Sequence, residues 1–190
     1  MPISPFGFTG IIAPNLASVA VIGVDMPKFA RGLAIGYSTY LQKIQIQTTD
    51  GGTAGTGKGT PMPLVVPPPV WYPLLTTGFT KNRIMGLLAP TFILGLSNGL
   101  SLCSLQALTN TVHFGVGVGA GVPTINPPPA FTDIQLGFKQ VGFSGPDNVK
   151  VCRAIAFGIE KSLRTFIIPI PIVGPPSPSP GTGRGTGKFV

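Results

Sequence analysis

One glycine-punctuated segment comes round three times, and its return limits what this chain can fold into more than any single residue does. "IGVDMPKFARGLAIG" (Ile22 to Gly36) lies over "MGLLAPTFILGLSNG" (Met85 to Gly99). Gly23, Pro27, Phe29, Gly32, Leu33 and Gly36 then meet Gly86, Pro90, Phe92, Gly95, Leu96 and Gly99. In "SGPDNVKVCRAIAFG" (Ser144 to Gly158), Gly23, Asp25, Lys28, Arg31, Ala34 and Gly36 return as Gly145, Asp147, Lys150, Arg153, Ala156 and Gly158. The copies begin at residues 22, 85 and 144, which sets a unit of about sixty residues. "GFTGIIAPNLA" (Gly7 to Ala17) echoes "GLLAPTF" (Gly86 to Phe92), as a partial copy ahead of the first.

Each unit opens with a turn glycine followed by an acid or a proline, the signals of a helix start. A helix of about sixteen residues is expected next. In the first unit Phe29, Leu33, Tyr37, Tyr40 and Leu41 fall on one face at helical spacing. Beside them run small residues four apart: Gly32 and Gly36, Gly95 and Gly99, Ala154 and Gly158. Such spacing lets two helix backbones approach closely.

A glycine tract follows each helix: "GGTAGTGKGTP", "GVGVGAGVP" and, at the C-terminus, "GTGRGTGKF". Proline triplets stand after the first two, at residues 67 to 69 and 127 to 129. The first tract, from Gly52 to Thr60, spells a nucleotide-binding phosphate loop, with Lys58 as its lysine and Thr60 as a magnesium ligand. A phosphate loop needs a strand before it and a helix starting at the lysine. "KIQIQTT" (Lys43 to Thr49) supplies a strand pattern, but "PMPLVVPPPVWYP" after Thr60 is too rich in proline for a helix. The sister tract "GVGVGAG" has no lysine. Nucleotide binding is therefore set aside, and the tracts are read as linkers or as extended strands able to add to a neighbouring sheet edge.

Other chemistry has little to stand on. The chain has five acids, Asp25, Asp50, Asp133, Asp147 and Glu160, and one histidine, His113, with no acid near it in sequence. Cys103 and Cys152 lack metal-ligand spacing and read as buried free thiols. No catalytic residue, cofactor ligand or metal ligand is assigned, and the chain is read as no enzyme and as having no small-molecule substrate. The net charge of +8 is spread from Lys28 to Lys188 without a dense run, which disfavours nucleic acid as a partner. The first cation is Lys28, so a secretory leader is not expected.

Charged residues are only 9% of the chain against roughly 25% in ordinary soluble domains, while 43% are hydrophobic. A chain so poor in charge is expected to live covered by neighbours. A membrane span over residues 84–105 is the alternative, since that stretch carries no charge. Against it, the third copy carries Arg153, Glu160, Lys161 and Arg164, which lipid would not tolerate cheaply.

"FTGIIAPNLASVAVIG", "APTFILGLSNGLSL", the glycine tracts and the ending "PIPIVGPPSPSPGTGRGTGKFV" together resemble small virion structural proteins of tailed bacteriophages. The resemblance implies a place in the virion, in tail, baseplate, neck or capsid, with other virion proteins and copies of the chain itself as partners. The expected fold is mainly α with extended Gly/Pro-rich arms, in three tandem helix-plus-arm repeats that would suit a pseudo-threefold axis. Their expected bounds are residues 1–69 (with the partial copy), 70–130, and 131–190 with the C-terminal arm. Proline at 169, 171, 175 and 176 gives that arm an extended course. Its apolar residues are expected to lie against another subunit or the chain's own third helix.

Overall fold

A computed structural model describes residues 4–20, 23–43, 45–53, 55–60, 62–63, 67–106, 108–110, 112–115, 118–121, 124–126, 130–165, 170–173 and 181–188, with side chains in 4–20, 23–41, 67–104 and 130–162. Among these residues the protein is mainly helical. Its six helices are α1 (Pro5–Ser18), α2 (Met26–Lys43), α3 (Pro68–Lys81), α4 (Ala89–Gln106), α5 (Ala130–Gln140) and α6 (Asn148–Thr165). They pair in chain order into three hairpins, and α2 packs on α3, α4 on α5, and α6 on α1. Six helices thus follow one another round a closed ring.

Proline writes the start of the first helix in two hairpins. Ser4 caps α1 by accepting from the Gly7 N–H at 3.2 Å, and Pro5 stands in the first turn. Pro67 caps α3 in an extended conformation, with Pro68 and Pro69 in its first turn, where a missing N–H costs nothing. The expectation that this proline run excludes a helix is corrected here. Pro73 does lie inside α3, and Pro14 inside α1. α5 begins differently: the Ala130 N–H donates to Glu160 Oε1 of α6 at 3.1 Å, an acid meeting the positive end of a helix.

The second helices start as expected. Met26, Ala89 and Asn148 donate their N–H groups to Gly23, Gly86 and Gly145, at 3.1, 3.0 and 3.1 Å. Phe29, Phe92 and Val151 then bond to the carbonyls of Asp25, Leu88 and Asp147. The uncharged stretch 84–105 is therefore not one helix, because residues 84–88 form the turn ahead of α4. Among the described residues no helix is long and apolar enough to cross a membrane.

Glycine sets the spacing between hairpins. A methyl group added at Gly36 would lie 3.0 Å from Leu75 Cα, and one added at Gly99 would lie 2.6 Å from Ile134 Cα. Opposite them, Gly78 faces the Gly32 carbonyl and Gly137 the Gly95 carbonyl, each too closely for any β-carbon. Phe8, Ile12, Leu16, Leu33, Leu75, Leu96, Leu100 and Ile134 fill the buried interior. The serines buried among them need no cross-helix partner. Ser97, Ser101 and Ser162 donate to carbonyls four residues back, at 2.7, 2.9 and 2.6 Å.

Among the described residues nine strands lie between and after the hairpins: β1 (Gln45–Thr53), β2 (Gly55–Thr60), β3 (Met62–Pro63), β4 (Leu108–Asn110), β5 (Val112–Gly115), β6 (Val118–Gly121), β7 (Thr124–Asn126), β8 (Ile170–Val173) and β9 (Gly181–Lys188). One sheet runs β5-β2-β1-β9-β8-β6, and a smaller one runs β3-β4-β7. β9 pairs antiparallel with β1, from Gln45 opposite Lys188 to Gly52 opposite Gly181. The backbone partners of β8 and β9 are strands of this same chain, while the arm's side chains, expected against another subunit or the third helix, lie outside the described residues. Residues 166–169, 174–180 and 189–190 of the C-terminal segment lie outside the described residues.

Candidate interaction surface at the hairpin turns

Because neighbouring helices alternate in direction, the three hairpin turns share one end of the ring. A connected set of rings closes that end from inside. Phe29 lies 5.3 Å from Phe79 and 5.6 Å from Phe92, and Phe92 lies 5.0 Å from Phe138 and 5.5 Å from Phe143. These edge and tilted contacts tie α2, α3, α4 and α5 together.

Outside this layer the turns expose aliphatic side chains. Leu87 is 96% exposed, Val24 89%, Leu88 64% and Met85 52%. A pocket of about 370 Å³ opens at the same end, lined by Phe29, Phe92, Phe143, Pro146, Asp147 and Val151 among others. A second pocket of about 190 Å³ shares Phe29, Phe92 and Phe143 and reaches Leu88. Burying such side chains is worth about 1.5–3 kcal/mol each, which makes this end a candidate interaction surface.

The charge here is mostly positive. Lys28, Lys81, Arg83, Lys139 and Lys150 belong to the three turns and the helix ends beside them. Asp25 and Asp147 are the acids in the same segments, and each is paired with the lysine three residues on, at 2.7 and 2.9 Å.

Toward the opposite end, where Phe6 at the start of α1 stands 88% exposed, the interior of the ring holds buried polar groups. Tyr37 stacks on Trp71 at 5.5 Å, Tyr40 lies 3.9 Å from Trp71, and Phe8 meets Tyr37 edge-on at 5.2 Å. Tyr40 Oη and Trp71 Nε1 have no hydrogen-bond partner among the described residues. Burial pushes the Tyr37 hydroxyl well above its usual range, with Cys103 and Tyr40 adding to the effect. Burial likewise raises the Cys103 thiol, helped by the Asp133 carboxyl to which it is hydrogen-bonded. Cys152, buried in α6, is pushed up to about 11 for the same first reason. Both thiols are therefore protonated at neutral pH, which makes them weak nucleophiles.

The residues weighed in the sequence fall apart in space. Cys103 and Cys152 are buried and form no disulfide. Asp25 and Asp147 are at the turns, while Asp133 and Glu160 lie toward the polar end. Among the described residues no three of His, Cys, Asp and Glu gather as a metal site. Lys58 sits in β2, paired on both sides by β1 and β5, and β3 follows it where a phosphate loop would have a helix. His113 pairs with Gly57 in the backbone ladder of β5 and β2.

The turn surface was not among the features expected from the sequence. Its signal was present as "VD" at 24–25 and "MGLL" at 85–88, apolar residues beside turn glycines, where polar ones are the rule. No protein-family model, curated protein or solved structure matches the chain.

Proposed function

We propose that this chain is a structural subunit of a phage particle, in its tail, baseplate, neck or capsid, and that it assembles with other virion proteins and with copies of itself. The observation that carries the reading is the turn face. Leu87 and Val24 stand almost fully in solvent on a chain with 9% charged residues. A protein that keeps such a surface needs a neighbour to cover it.

The same reading takes the chain as three tandem repeats, with Gly/Pro-rich arms, about a pseudo-threefold axis. Corresponding positions support it. Among the described residues Ala20, Arg83 and Gly142, one in each turn at matching positions, hold φ of 60°, 57° and 68°, and Gly23 of the first turn is also positive at 156°. Gly78 of α3 and Gly137 of α5 take corresponding places, each pressed against the preceding hairpin. In this alignment the unit is a helix hairpin followed by an extended segment, and α1 is the first helix of unit one.

Gradient-purified particles test the assignment. The chain is expected to sediment with them in fixed proportion to the capsid protein. Recovery only from the unbound fraction of the lysate would refute a virion role.

A further inference from the structure

The turn face has a shape and a charge that together select what covers it. A bilayer surface accepts convex apolar tips, and Leu87 and Val24 would serve for that. The 370 Å³ pocket between Phe29, Phe92, Phe143 and Val151 is concave, however, and asks for a side chain that protrudes. Its volume suits one aromatic or branched aliphatic anchor, the kind that dominates protein interfaces. Asp147 lines the pocket itself, but it is held by Lys150 as Asp25 is by Lys28, so over the three turns and the helix ends beside them Lys81, Arg83 and Lys139 leave an excess of positive charge. That excess opposes face-to-face docking of a second copy and favours an acidic partner.

We infer that the hairpin-turn end of the ring is a docking site for an acidic segment of another protein, one large apolar side chain filling the Phe29–Phe92–Phe143 pocket and flanking carboxylates meeting Lys81, Arg83 and Lys139. This deepens the structural-subunit reading by giving the chemistry of one neighbour. It leaves copies of the chain to associate through other surfaces.

The experiment uses the full chain and a fluorescein-labelled, end-capped peptide, Asp-Asp-Trp-Asp-Asp, followed by fluorescence anisotropy. Binding is expected, and replacing the peptide's tryptophan by alanine is expected to weaken it about tenfold or more. Val151→Phe, which fills the pocket, is expected to weaken it by about the same factor. Lys81→Glu and Arg83→Glu are each expected to cost about threefold or more and to flatten the salt dependence. Leu87→Asp, at a site almost fully exposed and so neutral to folding, provides a second test that does not depend on Val151→Phe folding. It too should weaken binding, whereas Phe157→Ser on the outer face of α6 should leave it unchanged.

No binding by the wild type, or equal binding by the pocket and charge variants, would overturn the proposal. Uptake on phosphatidylglycerol vesicles that the peptide does not compete away would overturn it in favour of a lipid surface. A concentration-dependent dimer abolished by Leu87→Asp would overturn it in favour of a second copy. A chain that binds the peptide but is absent from particles would refute the virion role alone.

Discussion

The contact of α2 with α3 and that of α4 with α5 bring glycine to both helices, whereas α6 meets α1 with glycine on one side only. Gly32 and Gly36 face Gly78 across the first contact, and Gly95 and Gly99 face Gly137 across the second, with backbone against backbone. At the third, a methyl group on Gly158 would lie 3.0 Å from Ile12 Cγ1, the outer part of a side chain, and 3.4 Å from Ile12 Cα. Gly10 of α1 has nothing within 4 Å of its absent side chain. In the proposed repeat, Asn15 occupies the place of Gly78 and Gly137, and Ala154 that of Gly32 and Gly95. The first two contacts are therefore close and intolerant. The third, which joins the first helix to the last and closes the ring, is wider and adjustable. Among the three contacts between hairpins, closure has the least backbone-to-backbone packing behind it.

Adding a methyl group separates the two kinds of contact most sharply. Gly78→Ala and Gly137→Ala would each set a β-carbon against a carbonyl oxygen of the facing helix. Overpacking of this sort costs about 1–3 kcal/mol or more, and here backbone rather than side chain must yield. The gain in helix propensity returns only about 1 kcal/mol. Each variant should lose at least about 2 kcal/mol in urea unfolding, an upper-range cost for overpacking. A loss below half that would mean that these contacts can slide apart.

Alkaline pH gives the next effect and touches both kinds of contact, since Cys103 lies in α4 and Cys152 in α6. Their folded-state pKa values are raised, that of Cys152 to about 11. The unfolded chain therefore loses these protons first, and stability is complete below the unfolded value of about 9. It should fall between about pH 9 and 11 as Cys152 is forced to ionise. Cys152→Ser should make the fall in the urea midpoint over that window shallower without abolishing it, because Cys103 and Tyr37, also raised by burial, still contribute. An unchanged slope would place the thiol's environment elsewhere.

The turns supply a smaller test. Ala20 and Arg83 hold φ near 60° without being glycine, while Gly142 holds it freely. Gly142→Ala should cost about 1 kcal/mol, and Arg83→Gly should be neutral or stabilise by up to about 1 kcal/mol, in thermal unfolding. Opposite signs would remove the correspondence among the three turns. Gly158→Ala has the smallest expected effect. Ile12 Cγ1 can shift by a few tenths of an ångström, and the helix propensity gain of about 1 kcal/mol offsets the crowding. A loss as large as that of Gly78→Ala would show that the third contact is as tight as the others.

What could be read in advance follows from how locally each feature is encoded. The face of Phe29, Leu33, Tyr37, Tyr40 and Leu41 was legible because helical periodicity sorts large residues to one side, and all five are buried or partly so. The small-residue stripe was legible for the same reason. α3 was hidden because proline carries two opposite meanings, breaking a helix interior and starting a first turn, and only position tells them apart. α5 was hidden by its eleven residues, too short for periodicity to speak clearly, and its first N–H is satisfied by Glu160, thirty residues away. The pocket at the turns was not legible at all, because Phe29, Phe92, Phe143 and Val151 come from three separate hairpins.

Native-state hydrogen exchange, read by mass spectrometry on peptides covering each helix, tests the adjustable closure most directly. Amide protection reports the free energy of local opening, so the helices of the wider contact should open first. α1 and the α1-facing side of α6 are expected to exchange through openings smaller than those of α2, α3, α4 and α5, which should open together near the global unfolding free energy. Protection of α1 equal to that of α3 and α5 would contradict it, and would mean that the ring closes as firmly at Ile12 and Gly158 as at its glycine crossings.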